Sequence, residues 1–141
     1  MFFGGYQYKV DEKGRLPLPP KFRRQMRDGV ILTKGIEKCI DVYPLNEWNR
    51  LADTLAAKVV TPANLRRLNR AIFGSAFSVS FDGQGRITLP VPLRTYADIG
   101  DTVMVVGANA RVELWNEELW RSEAASAGEQ VEDIVESLGA Q

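Results

Sequence analysis

Phe77-Ser78-Val79-Ser80-Phe81 alternates large apolar and small polar residues without a break, the period of a half-buried strand. Tyr6-Gln7-Tyr8-Lys9-Val10 has the same period near the other end of the chain. Each run leads into Asp-x-x-Gly, a turn in which the carboxylate accepts from nearby backbone N–H groups and glycine supplies positive φ. A second strand follows at 15–18 and at 86–89, so the pattern predicts two β-hairpins with glycine-containing loops. The apolar runs at 30–32 and 103–106 predict buried strands, and 40–43 and 112–115 predict two more. Proline ends the second strand of each hairpin, and Pro20 and Pro92 fit the first turn of short helices.

Further helices are expected near 45–57 and 117–125, the latter capped by Asn116. Thr61-Pro62 reads as cap and first residue of a connecting helix to about 73, with Leu65, Leu68 and Ile72 as its apolar stripe. Ser126-Ala127-Gly128 predicts a break. Beyond it Val131, Ile134, Val135 and Leu138 fall at helical spacing on an acidic tail, which suits a docked helix or partial disorder.

The pattern is written twice. Asp11, Gly14, Arg15, Pro19 and Arg23 return 71 positions later as Asp82, Gly85, Arg86, Pro90 and Arg94. After a one-residue shift Gly35, Ile40, Val42, Tyr43 and Trp48 return as Gly107, Val112, Leu114, Trp115 and Trp120. That spacing is too long for a solenoid unit, so the chain is read as an internal duplication about a pseudo-two-fold axis. The expected divisions are a first repeat over 1–60, a connecting helix over 61–75, a second repeat over 76–121 and an acidic segment over 122–141.

Composition narrows the class. At 141 residues, 45% apolar and 26% charged, the chain suits one globular domain or two small halves sharing a core. No run approaches the length of a membrane span, and the N-terminus lacks the pattern of a signal peptide. A single cysteine fits a reducing cytoplasm. With no histidine and one cysteine the chain offers little for catalysis, and neither an enzyme activity, a cofactor, a metal nor a small-molecule substrate is expected. Cys39 reads as a small hydrophobe. Net charge is zero but unevenly spread: +5 over 1–27, −2 over 28–57, +5 over 58–94 and −8 over 95–141. Both repeat motifs lie in basic blocks, a distribution that points to a polyanion as readily as to an uneven solvated surface.

Pleating places Leu16 and Leu18, like Ile87 and Leu89, on one face, so Arg15 and Arg86 project from the other, beside the turn. A guanidinium there can bond bidentately to phosphate or to guanine O6/N7, and a two-stranded ribbon fits the major groove. The same arginines can instead pair with Asp11 and Asp82 across their own turns, and the two roles can coexist. Arg23 and Arg94 either brace the turn or reach DNA. Lys9, Lys13, Lys21, Arg24 and Arg27 are weaker candidates for phosphate contacts, and Arg66, Arg67 and Arg70 suit a solvated helix face. Trp48, Trp115 and Trp120 suit core anchors.

The opening Met-Phe-x-Gly, then Asp-x-Lys-Gly-Arg-x-x-x-Pro-x-x-Phe-Arg, and later Asp-x-x-Gly-Arg-x-x-x-Pro-x-x-Leu-Arg with Val-Glu-Leu-Trp, resembles the MraZ family over residues 1–121. The resemblance implies an α+β, β-rich fold: a duplicated swapped-hairpin β-barrel of the AbrB/MazE kind with short peripheral helices. It further implies a homo-oligomeric ring and a cytoplasmic, nucleoid-associated regulator of the bacterial division and cell-wall gene cluster that binds tandem short repeats in double-stranded promoter DNA. The Asp-x-x-x-Arg loop would be the contact, which here means Asp11 and Arg15, and Asp82 and Arg86; Lys13, Gly14, Gly85, Arg23 and Arg94 complete the residues expected at the DNA. An antitoxin-like protein-interaction module is the alternative.

Overall fold

The computed structural model describes residues 1–58 and 60–139. In chain order the elements are β1 (Gly5–Lys9), β2 (Arg15–Pro17), α1 (Pro20–Arg23), β3 (Val30–Lys34), β4 (Ile40–Pro44) and α2 (Leu45–Ala56), followed by α3 (Pro62–Ile72), β5 (Phe77–Val79), β6 (Arg86–Thr88), α4 (Val91–Tyr96), β7 (Thr102–Ala108), β8 (Arg111–Asn116) and α5 (Glu117–Gly139). The fold is α+β, with antiparallel strands and mostly short helices. Every strand expected from alternation or from an apolar run is present. Thr61 caps α3 by accepting from the Asn64 N–H at 3.2 Å, and Asn116 caps α5 by accepting from the N–H groups of Glu118 and Leu119.

Pairing differs from two local hairpins. The strands form a six-stranded sheet in the order β1-β7-β8-β4-β3-β5 and a two-stranded sheet of β2 with β6. β1 thus leaves its own repeat to pair with β7 of the second, and β5 pairs with β3 of the first. The turn between β1 and β2 closes locally, with Asp11 N–H donating to the Arg15 carbonyl at 3.0 Å, but the strands then diverge to different partners. The sheet order is a palindrome. Its centre is the β4–β8 pair, where Asp41 faces Glu113 and Ile40 and Val42 face Leu114 and Val112. In the small sheet Leu16 faces Ile87, with Arg15 opposite Thr88 and Pro17 opposite Arg86. Among the described residues these sheets are open, with β1 and β5 at the edges of the larger.

One core joins the halves. Leu16, Leu18, Phe22 and Met26 of the first repeat meet Ile87, Leu89, Leu93 and Ala97 of the second, all buried. Burying the larger of these side chains contributes about 1.5–3 kcal/mol each. Trp48 packs between Tyr43 and Phe73, and Trp120 against the buried Trp115, so the tryptophans are packing residues. Cys39 is fully buried, and burial pushes its thiol well above the ordinary range, in keeping with a small hydrophobe.

α5 does not break at Gly128. It runs unbroken from Glu117 to Gly139, and every residue from Ala124 to Gly139 is exposed. Among the described residues, 124–139 form a helix left uncovered by its own chain.

Candidate nucleic-acid interface

The two Asp-x-x-Gly-Arg turns are built alike. In the first, the Asp11 carboxylate accepts from the backbone N–H groups of Lys13 and Arg15 through Oδ1, at 3.0 and 2.9 Å. Its Oδ2 accepts from Arg15 Nε at 2.6 Å. In the second, Asp82 Oδ1 accepts from Gln84 and Arg86 N–H at 2.9 and 3.0 Å, and Oδ2 accepts from Arg86 Nε at 2.8 Å. Gly14 and Gly85 hold φ of +77° and +74°, the left-handed region that closes each turn. The backbone N–H of Arg15, before any other influence, holds the Asp11 carboxyl below the usual carboxylate range, and that of Arg86 does the same for Asp82. Both aspartates are therefore ionised at neutral pH.

Each carboxylate takes the inner nitrogen of its guanidinium. The outer edge, the one that pairs bidentately with phosphate or guanine, is furthest from the backbone. Arg15 and Arg86 are partly covered rather than fully solvated, with side chains 32% and 23% exposed. Of the two expected roles, the pairing with the aspartates of their own turns is present, and it fixes the rotamers of both arginines.

The turns are not separate tips. Arg86 Nη1 lies 3.6 Å from Asp11 Oδ2, so the second arginine reaches the first aspartate. Backbone bonds cross as well, from Leu89 N–H to the Gly14 carbonyl at 2.8 Å. The pairing of β2 with β6 brings them together, giving one bipartite tip with a local pseudo-two-fold axis between Leu16 and Ile87.

Arg23 and Arg94 stand behind this tip, and each spans the two repeats. Arg23 Nη1 donates to the carbonyls of Leu18 at 3.1 Å and Gly85 at 3.4 Å. Arg94 Nε donates to the Leu89 carbonyl at 3.0 Å, and its guanidinium lies against Gly14 of the other copy. Their described bonds are to backbone. Nothing in the linear sequence signals this crossing, because the partner glycine belongs to the other repeat.

Arg24 and Arg27 are exposed and line, with Arg23, a groove of about 540 Å3 beside residues 81–85 of the second turn. Lys13 is exposed at the first turn. Lys21 lies over the rings of Phe3, Tyr6 and Phe22, its ammonium 4.5 Å from the Phe3 centroid. Among the described residues one group has metal-ligand types in reach of one another, Cys39, Asp41 and Glu113. Its carboxylates are already taken by Arg111, 3.3 Å from Asp41 and 2.8 Å from Glu113, and by the Trp115 indole N–H. With the guanidinium seated between the carboxylates, that donor set does not fit a metal.

The chain is a duplicated α+β protein whose exchanged strands bring the Asp–Arg turns of both halves together at one tip. The chain belongs to the MraZ family. The family model described as "MraZ protein, putative antitoxin-like" matches residues 1–70 and 72–137, extending past residue 121, where the recognisable motifs end. Curated relatives span nearly the whole chain. Transcriptional regulator MraZ of Dehalococcoides mccartyi is 52% identical over 139 residues, 98% of both chains. Those of Frankia alni and Halothermothrix orenii are 41% and 38% identical over 138 residues, covering 98% of this chain and 96% of theirs. These names put the chain among transcriptional regulators.

Proposed function

We propose that the chain binds double-stranded promoter DNA through the joined Asp–Arg tip and regulates transcription without catalysing a reaction. The observation that carries the reading is the pairing of β2 with β6. It brings two rotamer-locked guanidinium groups to the end of a two-stranded ribbon, with Lys13, Arg24 and Arg27 close by on the same basic blocks. A ribbon of this kind fits a major groove about 12 Å wide. In this reading Arg15 and Arg86 contact DNA, Asp11, Asp82, Gly14 and Gly85 hold them, Lys13 adds a phosphate contact, and Arg23 and Arg94 brace the turns.

The family resemblance supports the finer statements: a regulator of the division and cell-wall gene cluster, cytoplasmic and nucleoid-associated, acting as a homo-oligomeric ring on tandem short repeats. The strand exchange supports the swapped-hairpin barrel as the parent architecture, and the repeat boundaries 1–60, 61–75, 76–121 and 122–141 follow it. No helix among the described residues is long and apolar enough to cross a membrane. One tip on a chain of zero net charge offers few phosphate contacts, so affinity in this reading comes from several linked tips on one DNA.

The test is binding to duplex DNA from upstream of the chain's own gene, by fluorescence anisotropy at several salt concentrations. Arg15→Ala and Arg86→Ala are each expected to weaken binding about tenfold or more, the scale of one bidentate pair. An arginine on phosphate also lowers the salt slope by about 0.9 per contact. The melting temperatures should fall only modestly, because ion pairs that keep this much contact with solvent contribute about 1 kcal/mol. Unchanged affinity in both variants would remove the tip as the contact. Equal affinity for one and for several sites would remove the linked-tip reading.

A further inference from the structure

α5 carries an apolar stripe with nothing on it. Val131, Ile134, Val135 and Leu138 are 54%, 51%, 59% and 65% exposed, and Ala124 and Ala127 extend the same face toward the body at spacings of three and four residues. From residue 122 to 139 the helix bears five acids, Glu123, Glu129, Glu132, Asp133 and Glu136, and no base. Glu123 and Glu132 flank the stripe on opposite sides at helical spacing. The helix is anchored at its first turns, where Trp120 meets Trp115, and then extends about 24 Å as a free rod over residues 124–139. A continuous helix cannot fold that stripe back onto its own chain.

The complementary surface is on the same molecule. α3 has three arginines, Arg66, Arg67 and Arg70, and no acid. Its Leu68 and Ala71, with Val60 and the 83%-exposed Ile36 of the β3–β4 turn, form an apolar strip. Lys34, Arg67 and Arg70 rim two adjoining hollows there of about 460 and 440 Å3. An apolar trough with a cationic rim matches an apolar stripe with acidic flanks.

We propose that the α5 stripe of one copy docks along α3 of a second copy, with Glu123, Glu132 and Glu136 facing its Lys34, Arg67 and Arg70. This rests on the homo-oligomeric reading above and names the contact that makes the oligomer. Where each copy gives its helix to one neighbour and receives that of another, the contact is head-to-tail and generates a ring when the rotation closes. The acidic charge that opposes DNA would then be neutralised within the assembly, away from the arginine tips.

Light scattering coupled to gel filtration at micromolar concentration tests it on the full chain. Two exposed-site variants are used: Val131→Asp/Ile134→Asp on α5, and Arg67→Glu/Ala71→Glu on α3, with circular dichroism to check that each folds as the parent. Each is expected to reduce the parent oligomer to monomer. Mixed together, one intact helix and one intact trough remain per pair, so a one-to-one dimer is expected and nothing larger. A parent that is itself a monomer would overturn the homo-oligomeric reading and this contact with it. An oligomeric parent whose mass survives the α5 change overturns only this contact. Loss of assembly in the α5 variant alone, with the α3 variant unchanged, would overturn the trough as its partner and indicate pairing between α5 helices.

Discussion

At the scale of single residues the tip depends on two backbone positions that only glycine fits without strain. At Gly14 an added Cβ would lie 3.0 Å from Arg94 Cζ, and at Gly85 it would run into the Arg23 guanidinium. Both residues also sit at positive φ. Gly85→Val should therefore cost roughly 1–3 kcal/mol from backbone strain alone, and should also release Arg23 from the carbonyls of Leu18 and Gly85. Gly85→Asn should cost less, because asparagine tolerates the left-handed region. Thermal melts of the two variants check the order, and a valine variant as stable as the parent would refute the turn. The two turns of the candidate site were legible in sequence because turn chemistry is local: Asp, Gly and Arg at fixed offsets specify one loop. The bracing by Arg23 and Arg94 was not, since it depends on which turn lies over which helix after the halves have interlocked.

At the scale of elements the central strand pair holds a charge arrangement that β-pattern reading does not detect. Asp41 and Glu113 face each other on β4 and β8, two like charges directly opposite, and Arg111 lies between them. Burial pushes the Asp41 carboxyl up to about 6, Arg111 opposes that rise and Glu113 adds to it. A carboxyl raised in the folded state binds a proton that the unfolded chain would release. Its contribution to stability is thus full below about pH 4 and is lost as pH rises through 6. Arg111→Met leaves both carboxylates without their cation and should cost about 3–5 kcal/mol at pH 7. The cost should shrink at pH 5, where Asp41 takes up a proton. Asp41→Asn should gain on the parent as pH rises from 4 to 7. Urea titrations at the two pH values measure both, and a pH-independent Arg111→Met cost would contradict the account. Strands and caps along the chain were readable because alternation and N-cap chemistry act over a few residues. Strand partners were not, because alternation tells which face is buried and not which strand lies alongside. The expected break at Gly128 failed for an energetic reason: one glycine costs an exposed helix only about 1 kcal/mol relative to alanine, and the alanines and acids around it favour helix.

At the scale of the whole molecule, exchange of β1 and β5 makes the repeats inseparable. A chain of residues 1–75 lacks β7 for its β1, and the Leu16 face of β2 lacks Ile87. No folded monomer of that fragment is expected. It should either give the circular dichroism of an unfolded chain or sediment as a dimer in which a second copy stands in for the missing half. A folded monomeric half would refute the interlocked core. Residues 76–139 should behave the same way.

On the proposed DNA-binding reading, the pseudo-two-fold axis through the tip also bears on how recognition can change over generations. Where two identical half-length chains meet at such an axis, one codon sets both arms, and every alteration arrives doubled. Here the arms are encoded separately, and they already differ: Glu12-Lys13 in one turn stands against Gly83-Gln84 in the other. A single substitution would therefore revise one arm while the other keeps its hold, so the preferred sequence could drift from a palindromic to a directional one in steps that each leave half the grip intact.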